Sequence, residues 1–318
     1  MSEAQEVMMP DLSVNLAGVH LPNPLVLASG VLGTTAPLME RVGQCGAGAV
    51  TSKSCSPEPR AGHPNPTVLD WGPGLINAVG LANPGVDEEI EILADARQRL
   101  HRQGVPLVAS VFADSVDGFA YVTRRVCEAE PDLVELNISC PNVHEEFGRP
   151  FALDPGAAAD VTRAARAVCD RPMCVKLAPN VTDIVAIGRA AADAGADALT
   201  AVNTLGPGML IDVESGWPIL ANRVGGVSGP AIRPIAVRIV YDLAAAIDLP
   251  IIGTGGVATA RDVVEMLMAG ATAVGIGSAV VNGGPDLFGT IRDDLAQFMR
   301  DHGYDSIEDM RGLAHERR

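Results

Sequence analysis

Read by its apolar and polar positions, the chain repeats one unit eight times: a short aliphatic run, then a longer stretch with apolar residues three and four apart. The aliphatic runs fall at 25–30, 47–53, 105–113, 133–138, 173–178, 198–203, 250–255 and 272–277. The helical stretches fall at 36–44, 87–102, from 113 to about 129, 154–168, 183–194, 229–247, 260–268 and 286–300. The aliphatic runs do not alternate with polar residues, as expected of parallel strands covered by helices. Eight strand–helix units predict an α/β fold, a closed (β/α)8 TIM barrel spanning 1–318 as one domain, rather than an open sheet. A short hairpin at 12–21 is expected ahead of it.

Three connections are too long to be plain linkers: 54–84, 139–153 and 205–230. Segments of that length in a compact domain carry function or their own secondary structure. The third holds two apolar stretches, 209–213 and 217–222, around Glu214-Ser-Gly216, and reads as a small hairpin. All three are expected to roof the barrel mouth, with the loop at 140 as a lid.

Composition narrows the partners. Only 3% of the 318 residues are aromatic and 47% are hydrophobic, which suits a core filled by small branched side chains. A net charge of −16 argues against nucleic acid, which needs a basic surface. No apolar run reaches membrane-span length, and Met1-Ser-Glu-Ala-Gln-Glu6 lacks the basic and apolar regions of a signal peptide, so a soluble, cytoplasmic protein with no membrane contact is expected. The cysteines at 45, 55, 127, 140, 169 and 174 form no C-x-x-C pair and have no histidines at zinc spacing, which signals neither a disulfide framework nor a metal site. Cys45, Cys127, Cys169 and Cys174 fall within helices or strands and are expected in the core.

Barrels of this kind gather their chemistry at the C-terminal ends of the strands. Those ends carry Ser29, Lys53, Ser110, Asn137 with Cys140, Lys176, Asn203 with Thr204, Gly255 with Gly256, and Gly277 with Ser278. Polar and glycine residues fall there almost without exception. The glycines after the seventh and eighth strands suit a phosphate held by backbone N–H groups. Lys53 and Lys176 suit either a fixed cation for an anionic ligand or a Schiff-base nucleophile, and spacing leaves both open. Cys140 is distinguished by its neighbours Asn137 and Asn142, to which Asn77 and Asn203 add two more amides. Several amides and few carboxylates point to a planar ligand rich in C=O and N–H groups, such as a pyrimidine ring.

These residues sit in blocks that resemble a known family. They include Ala28-Ser-Gly30, Leu75-Ile-Asn-Ala-Val-Gly-Leu-Ala-Asn-Pro-Gly85, Glu135-Leu-Asn-Ile-Ser-Cys-Pro-Asn-Val143 and Val175-Lys-Leu-Ala-Pro-Asn-Val-Thr-Asp-Ile184. Val202-Asn-Thr204, Pro218-Ile-Leu-Ala-Asn222, Gly225-Gly-Val-Ser-Gly-Pro-Ala-Ile-Arg-Pro234 and Pro250-Ile-Ile-Gly-Thr-Gly-Gly-Val257 continue the series. In this order and over nearly the whole chain, they resemble the class 1 dihydroorotate dehydrogenases, and most closely the class 1B type.

The resemblance implies an FMN enzyme that oxidises dihydroorotate to orotate in pyrimidine biosynthesis. Cys140 would remove the C5 proton, while a hydride passes from C6 to the flavin. Asn77, Asn137, Asn142, Asn203 and Thr204 would hold the ring, Lys53 would pair with the carboxylate, and Ala78, Val79, Gly80 and Leu81 would complete the pocket. On the cofactor side the family's positions fall on Ser29, Lys53, Ser54, Ser110, Asn137 and Lys176, then on Val202, Gly229, Gly255, Gly256, Gly277 and Ser278. Lys176 would stand by the flavin's pyrimidine edge.

Class 1B resemblance further implies a homodimer core and a second subunit with FAD and a [2Fe–2S] cluster, which together form a heterotetramer that passes electrons to NAD⁺. Fumarate-linked class 1A behaviour is the alternative. A dihydropyrimidine dehydrogenase-like reductase of uracil or thymine is another, although Asn142 and Lys53 fit it less well. A flavin-free aldolase barrel using Lys176 and a noncatalytic partner subunit complete the alternatives. The chain departs from the family at Ser110, where Asn is frequent, at Ser278, where Thr is common, at Gly206-Pro-Gly208, one residue longer than usual, and at the acidic His144-Glu-Glu146.

Overall fold

The computed structural model describes residues 9–139 and 151–316. An antiparallel hairpin of β1 (Val14–Leu16) and β2 (Val19–Leu21) opens the chain. It is followed by β3 (Leu25–Leu27), α1 (Ala36–Gln44), β4 (Ala49–Thr51), β5 (Val68–Asp70), β6 (Leu75–Asn77), α2 (Val86–His101), β7 (Leu107–Val111) and α3 (Val116–Val126). Next come β8 (Leu133–Asn137), α4 (Pro155–Arg166), β9 (Met173–Leu177), α5 (Ile184–Asp193), β10 (Ala198–Ala201), β11 (Leu205–Gly208), β12 (Ile211–Asp212), β13 (Trp217–Pro218) and β14 (Gly225–Ser228). The chain ends with α6 (Arg233–Ala246), β15 (Ile251–Thr254), α7 (Ala260–Met268), β16 (Ala273–Ile276), α8 (Ala279–Gly283), α9 (Leu287–His302) and α10 (Leu313–Glu316).

Strands β3, β4, β7, β8, β9, β10, β15 and β16 pair in that order and close on themselves, every pair parallel. This is the expected (β/α)8 barrel. Every residue of these strands is buried, because helices cover the outside and side chains fill the inside. The sequence places stops and starts where the helices need them. Ser115, Asp154 and Asp183 each accept a backbone N–H three residues on, and Thr259 with Asp262 forms a reciprocal capping box at the start of α7.

The long connections build a second layer at the mouth. A four-stranded antiparallel sheet runs in the order β11, β14, β6, β5, with its own small cluster of Ile76, Ala78 and Leu220. The expected hairpin is present as β12 and β13. The wider sheet escapes sequence reading because two of its strands, Leu205-Gly-Pro-Gly208 and Gly225-Gly-Val-Ser228, show no alternation and are dominated by glycine and proline, with Val227 their only β-branched residue. No helix among the described residues is long and apolar enough to cross a membrane.

Candidate active site

Parallel register brings distant residues abreast. On neighbouring strands Ser110 pairs with Glu135, Asn137 with Lys176, and Lys176 with Thr200. Glu135 is 3% exposed and Lys176 is 4% exposed, so both charges leave water and need compensation. They find it in each other, at 3.7 Å, and in hydroxyls. Ser110 Oγ and Thr200 Oγ1 each donate to Glu135 at 3.0 Å, and Lys176 Nζ donates to Ser29 Oγ at 2.9 Å. The network continues outward, with Ser54 Oγ 2.8 Å from Ser110 Oγ, and Asn137 Nδ2 donating to Ser54 Oγ at 3.2 Å.

A second set of amides locks onto this one. Asn137 Oδ1 accepts from Ser139 Oγ at 3.2 Å and from Asn203 Nδ2 at 3.3 Å, while Asn203 also donates to Ser139 Oγ at 2.9 Å. The Asn203 side-chain oxygen accepts from the Thr204 N–H at 2.8 Å, which fixes the direction of the amide. Asn77 Nδ2 reaches across the mouth sheet to the Gly226 carbonyl at 3.4 Å.

A cavity of about 200 Å³ opens at the strand ends over these groups. Ser29 and Lys176 line one wall, and Asn77, Val79, Val202, Asn203 and Thr204 line another. The third wall is the glycine end: Gly229, Gly255, Gly256, Gly277 and Ser278. Twelve of the expected positions therefore meet in one place. Ser54, Ser110 and Asn137 lie buried behind the wall and reach it through hydrogen bonds. Ala78, Gly80, Leu81 and Lys53 do not line this cavity. The Ala78 carbonyl faces His63 Nδ1 at 3.1 Å, Gly80 and Leu81 turn with φ of 72° and 60°, and Lys53 is half-buried past the end of β4. Cys140 and Asn142 lie outside the described residues.

The glycine wall fits a phosphate-bearing group. Gly255 and Gly256 have φ of 137° and 77°, and a Cβ on Gly256 would stand 2.7 Å from the Gly229 carbonyl oxygen. The N–H groups of Gly255, Gly256, Gly277 and Ser278 donate to no carbonyl among the described residues, which leaves four donors for an anion. The donor set suits a phosphate-bearing cofactor such as a flavin mononucleotide.

Sequence reading assigned no role to Ser139, Glu135 or Glu89. The signal for Glu135 was present, since an acid inside an otherwise apolar strand must be paired. Glu89 lies in the first turn of α2, is 1% exposed, and leaves Oε1 without a hydrogen-bond partner. Burial pushes its carboxyl up to about 8, against the opposing pull of the Lys53 ammonium. Cys174 and Cys169 are core thiols as expected, whereas Cys45 and Cys127, which stand at helix ends, are only half-buried. Among the described residues no three His, Cys, Asp or Glu side chains converge as metal ligands.

Fold and site together define a barrel enzyme whose mouth presents a buried ammonium, convergent amides and a phosphate-sized set of backbone donors. The model of the dihydroorotate dehydrogenase family matches residues 11–299. The chain is 45% identical over 305 residues to the catalytic subunit of dihydroorotate dehydrogenase B (NAD⁺) from Methanothermobacter thermautotrophicus, covering 96% of this chain and 99% of that one. It is 45% identical over 306 residues to the protein of the same name from Methanosarcina mazei, covering 96% of each chain. The same name attaches to the Pyrococcus abyssi protein, 42% identical over 303 residues, covering 95% of this chain and 99% of that one. The chain belongs to the dihydroorotate dehydrogenase family.

Proposed function

We propose that this chain is the catalytic subunit of an NAD⁺-linked dihydroorotate dehydrogenase, which oxidises dihydroorotate to orotate in pyrimidine biosynthesis. The observation that carries the reading is that Lys176 lines the same cavity as Asn77, Asn203 and the glycines Gly229, Gly255, Gly256 and Gly277. Its ion pair with Glu135 favours a fixed cation over the Schiff-base nucleophile of an aldolase.

FMN, when bound, supplies the acceptor for the hydride that leaves C6 of the substrate. Gly255, Gly256, Gly277 and Ser278 would hold its phosphate through N–H groups, and Ser29 and Lys176 would offer polar partners to its ring. Lys176 places a positive charge where reduction concentrates negative charge. Asn77, Asn137, Asn142, Asn203 and Thr204 orient the substrate ring by its amide edges, and Lys53 pairs with its carboxylate. Cys140 takes the C5 proton, a role assigned by its place in the Glu135–Val143 block; a base works best with a pKa near the working pH. The mouth sheet covers the cavity and keeps water from the reacting atoms.

A second subunit with FAD and a [2Fe–2S] cluster receives the electrons, and a homodimer of this chain forms the core of the resulting heterotetramer. The names of the relatives, each a catalytic subunit of an NAD⁺ enzyme, support that division of labour. The enzyme works in the cytoplasm.

The visible spectrum of the purified chain tests the proposal. Flavin absorbance that bleaches on anaerobic addition of dihydroorotate is expected, followed by recovery with NAD⁺ only when the second subunit is present. Recovery with fumarate by the chain alone would replace the NAD⁺ assignment, and a chain that takes up no FMN would end the flavoenzyme reading.

A further inference from the structure

Cys127 and Cys169 stand 42 positions apart in the chain, yet their sulfurs lie 3.3 Å from each other. Cys127 opens the 3₁₀ turn Cys127–Ala129 that closes α3, and Cys169 lies between α4 and β9. The two helices pack side by side, which brings their ends together. Both cysteines precede the N-terminal ends of barrel strands β8 and β9, so they lie on the face of the barrel opposite the mouth. They take no part in the proposed reaction.

Two thiols this close have few uses. A metal bound between them, at about 2.3 Å per metal–sulfur bond, would hold the sulfurs up to about 4.6 Å apart in a two-coordinate site. Among the described residues no group of three ligating side chains exists to complete a larger one. A disulfide needs about 2.05 Å, so the gap closes by about 1.3 Å, within reach of side-chain rotation. We infer that Cys127 and Cys169 form a modification site, a dithiol that a low-molecular-weight disulfide oxidises to an intramolecular disulfide.

Cys127 is the half-buried member of the pair and meets the oxidant. Its sulfur gives up its proton, attacks one sulfur of the small disulfide and displaces a thiolate, leaving a mixed disulfide on Cys127. The Cys169 thiolate then attacks the Cys127 sulfur and displaces the second small thiolate. Two protein thiols lose two electrons and two protons, and the small disulfide becomes two thiols. The local chemistry favours Cys169 as the resolving thiolate. In the reduced pair the hydrogen bond donated by Cys127 holds the Cys169 thiol below the ordinary range and pushes Cys127 up; once Cys127 carries the mixed disulfide that bond is gone, and the nearby Arg166 guanidinium still favours the Cys169 thiolate. The new bond ties the end of α3 to the segment before β9. In sequence it encloses the stretch that carries Glu135, Asn137 and Cys140, and it constrains the unfolded chain over the 42 positions that separate the two thiols.

The full chain, loaded with FMN, is equilibrated with oxidised glutathione or with dithiothreitol and digested without reduction. Mass spectrometry is expected to find the Cys127 and Cys169 peptides linked after oxidation and separate after reduction. The melting temperature is expected to rise by about 5 °C on oxidation. Cys127→Ser and Cys169→Ser should each abolish both the link and the rise. A stable glutathione adduct on Cys127 with no link to Cys169 would overturn the inference, as would a folded chain whose Cys127 and Cys169 stay reduced. The peptide map of the unsubstituted chain decides the matter even if a serine variant fails to fold.

Discussion

Glu89 gives the fold a pH dependence that one substitution removes. Its carboxyl is 1% exposed and titrates near 8 in the folded chain, against an ordinary 4.5. The folded value is raised, so the native state favours the protonated form. Stability from this site is therefore fully present below pH 4.5 and is lost as pH rises through 8. A difference of about 3.5 between the two values corresponds to about 5 kcal/mol once the group is ionised in both states. Most of that, about 3 kcal/mol, is already lost at pH 7, and a further loss of about 1 kcal/mol falls between pH 7 and pH 9. In Glu89→Gln that last step disappears, because an amide does not titrate. The absolute stability of the variant is less telling, since a buried amide short of partners costs about 1–3 kcal/mol of its own. The slope is diagnostic. Urea unfolding of both proteins at pH 7 and pH 9 should show wild type losing about 1 kcal/mol more than the variant over that interval, all other groups cancelling in the comparison. Equal losses would show that Glu89 ionises freely in the folded chain and that the first turn of α2 admits water.

Glu135→Ala leaves the Lys176 ammonium buried without its counter-charge and should cost about 3–5 kcal/mol in urea unfolding; a loss below 1 kcal/mol would mean that Ser29 and solvent suffice for Lys176. Gly256→Ala places a Cβ 2.7 Å from the Gly229 oxygen at φ +77°, which should cost about 1–3 kcal/mol and weaken FMN uptake in a fluorescence titration. Unaltered uptake would move the phosphate away from Gly256. Cys140→Ser should slow anaerobic bleaching by dihydroorotate at neutral pH and recover in part at high pH, since an alcohol is a far poorer base. An unchanged rate would remove Cys140 from the proton transfer. Lys53→Ala should raise the KM for dihydroorotate more than it lowers FMN retention, and the reverse result would place Lys53 on the cofactor side.

The barrel and its glycine wall were legible in the sequence because their causes are local. A parallel strand buried on both faces must be an unbroken aliphatic run, and a backbone that approaches a phosphate must shed its side chains, so Gly255, Gly256 and Gly277 can be read one strand at a time. The mouth sheet was not legible, because β11 and β14 are mostly glycine and proline, which carry no strand signal, and their one apolar cross-strand pair, Leu205 opposite Val227, shows no alternation along the chain. The charges were hidden for a different reason. Glu135 and Glu89 look like ordinary acids in a strand and in a helix's first turn, and only the closed barrel shows that Glu135 faces Lys176 and that Glu89 is sealed from water. The same holds for Cys127 and Cys169, whose separation of 42 positions carries no pairing signal until α3 and α4 pack. A site assembled from neighbouring strands thus shows its wall in sequence, whereas the balance of charge behind that wall is a property of closure. A substitution there, at Glu135 above all, disturbs the position of Lys176 without touching a residue that lines the cavity.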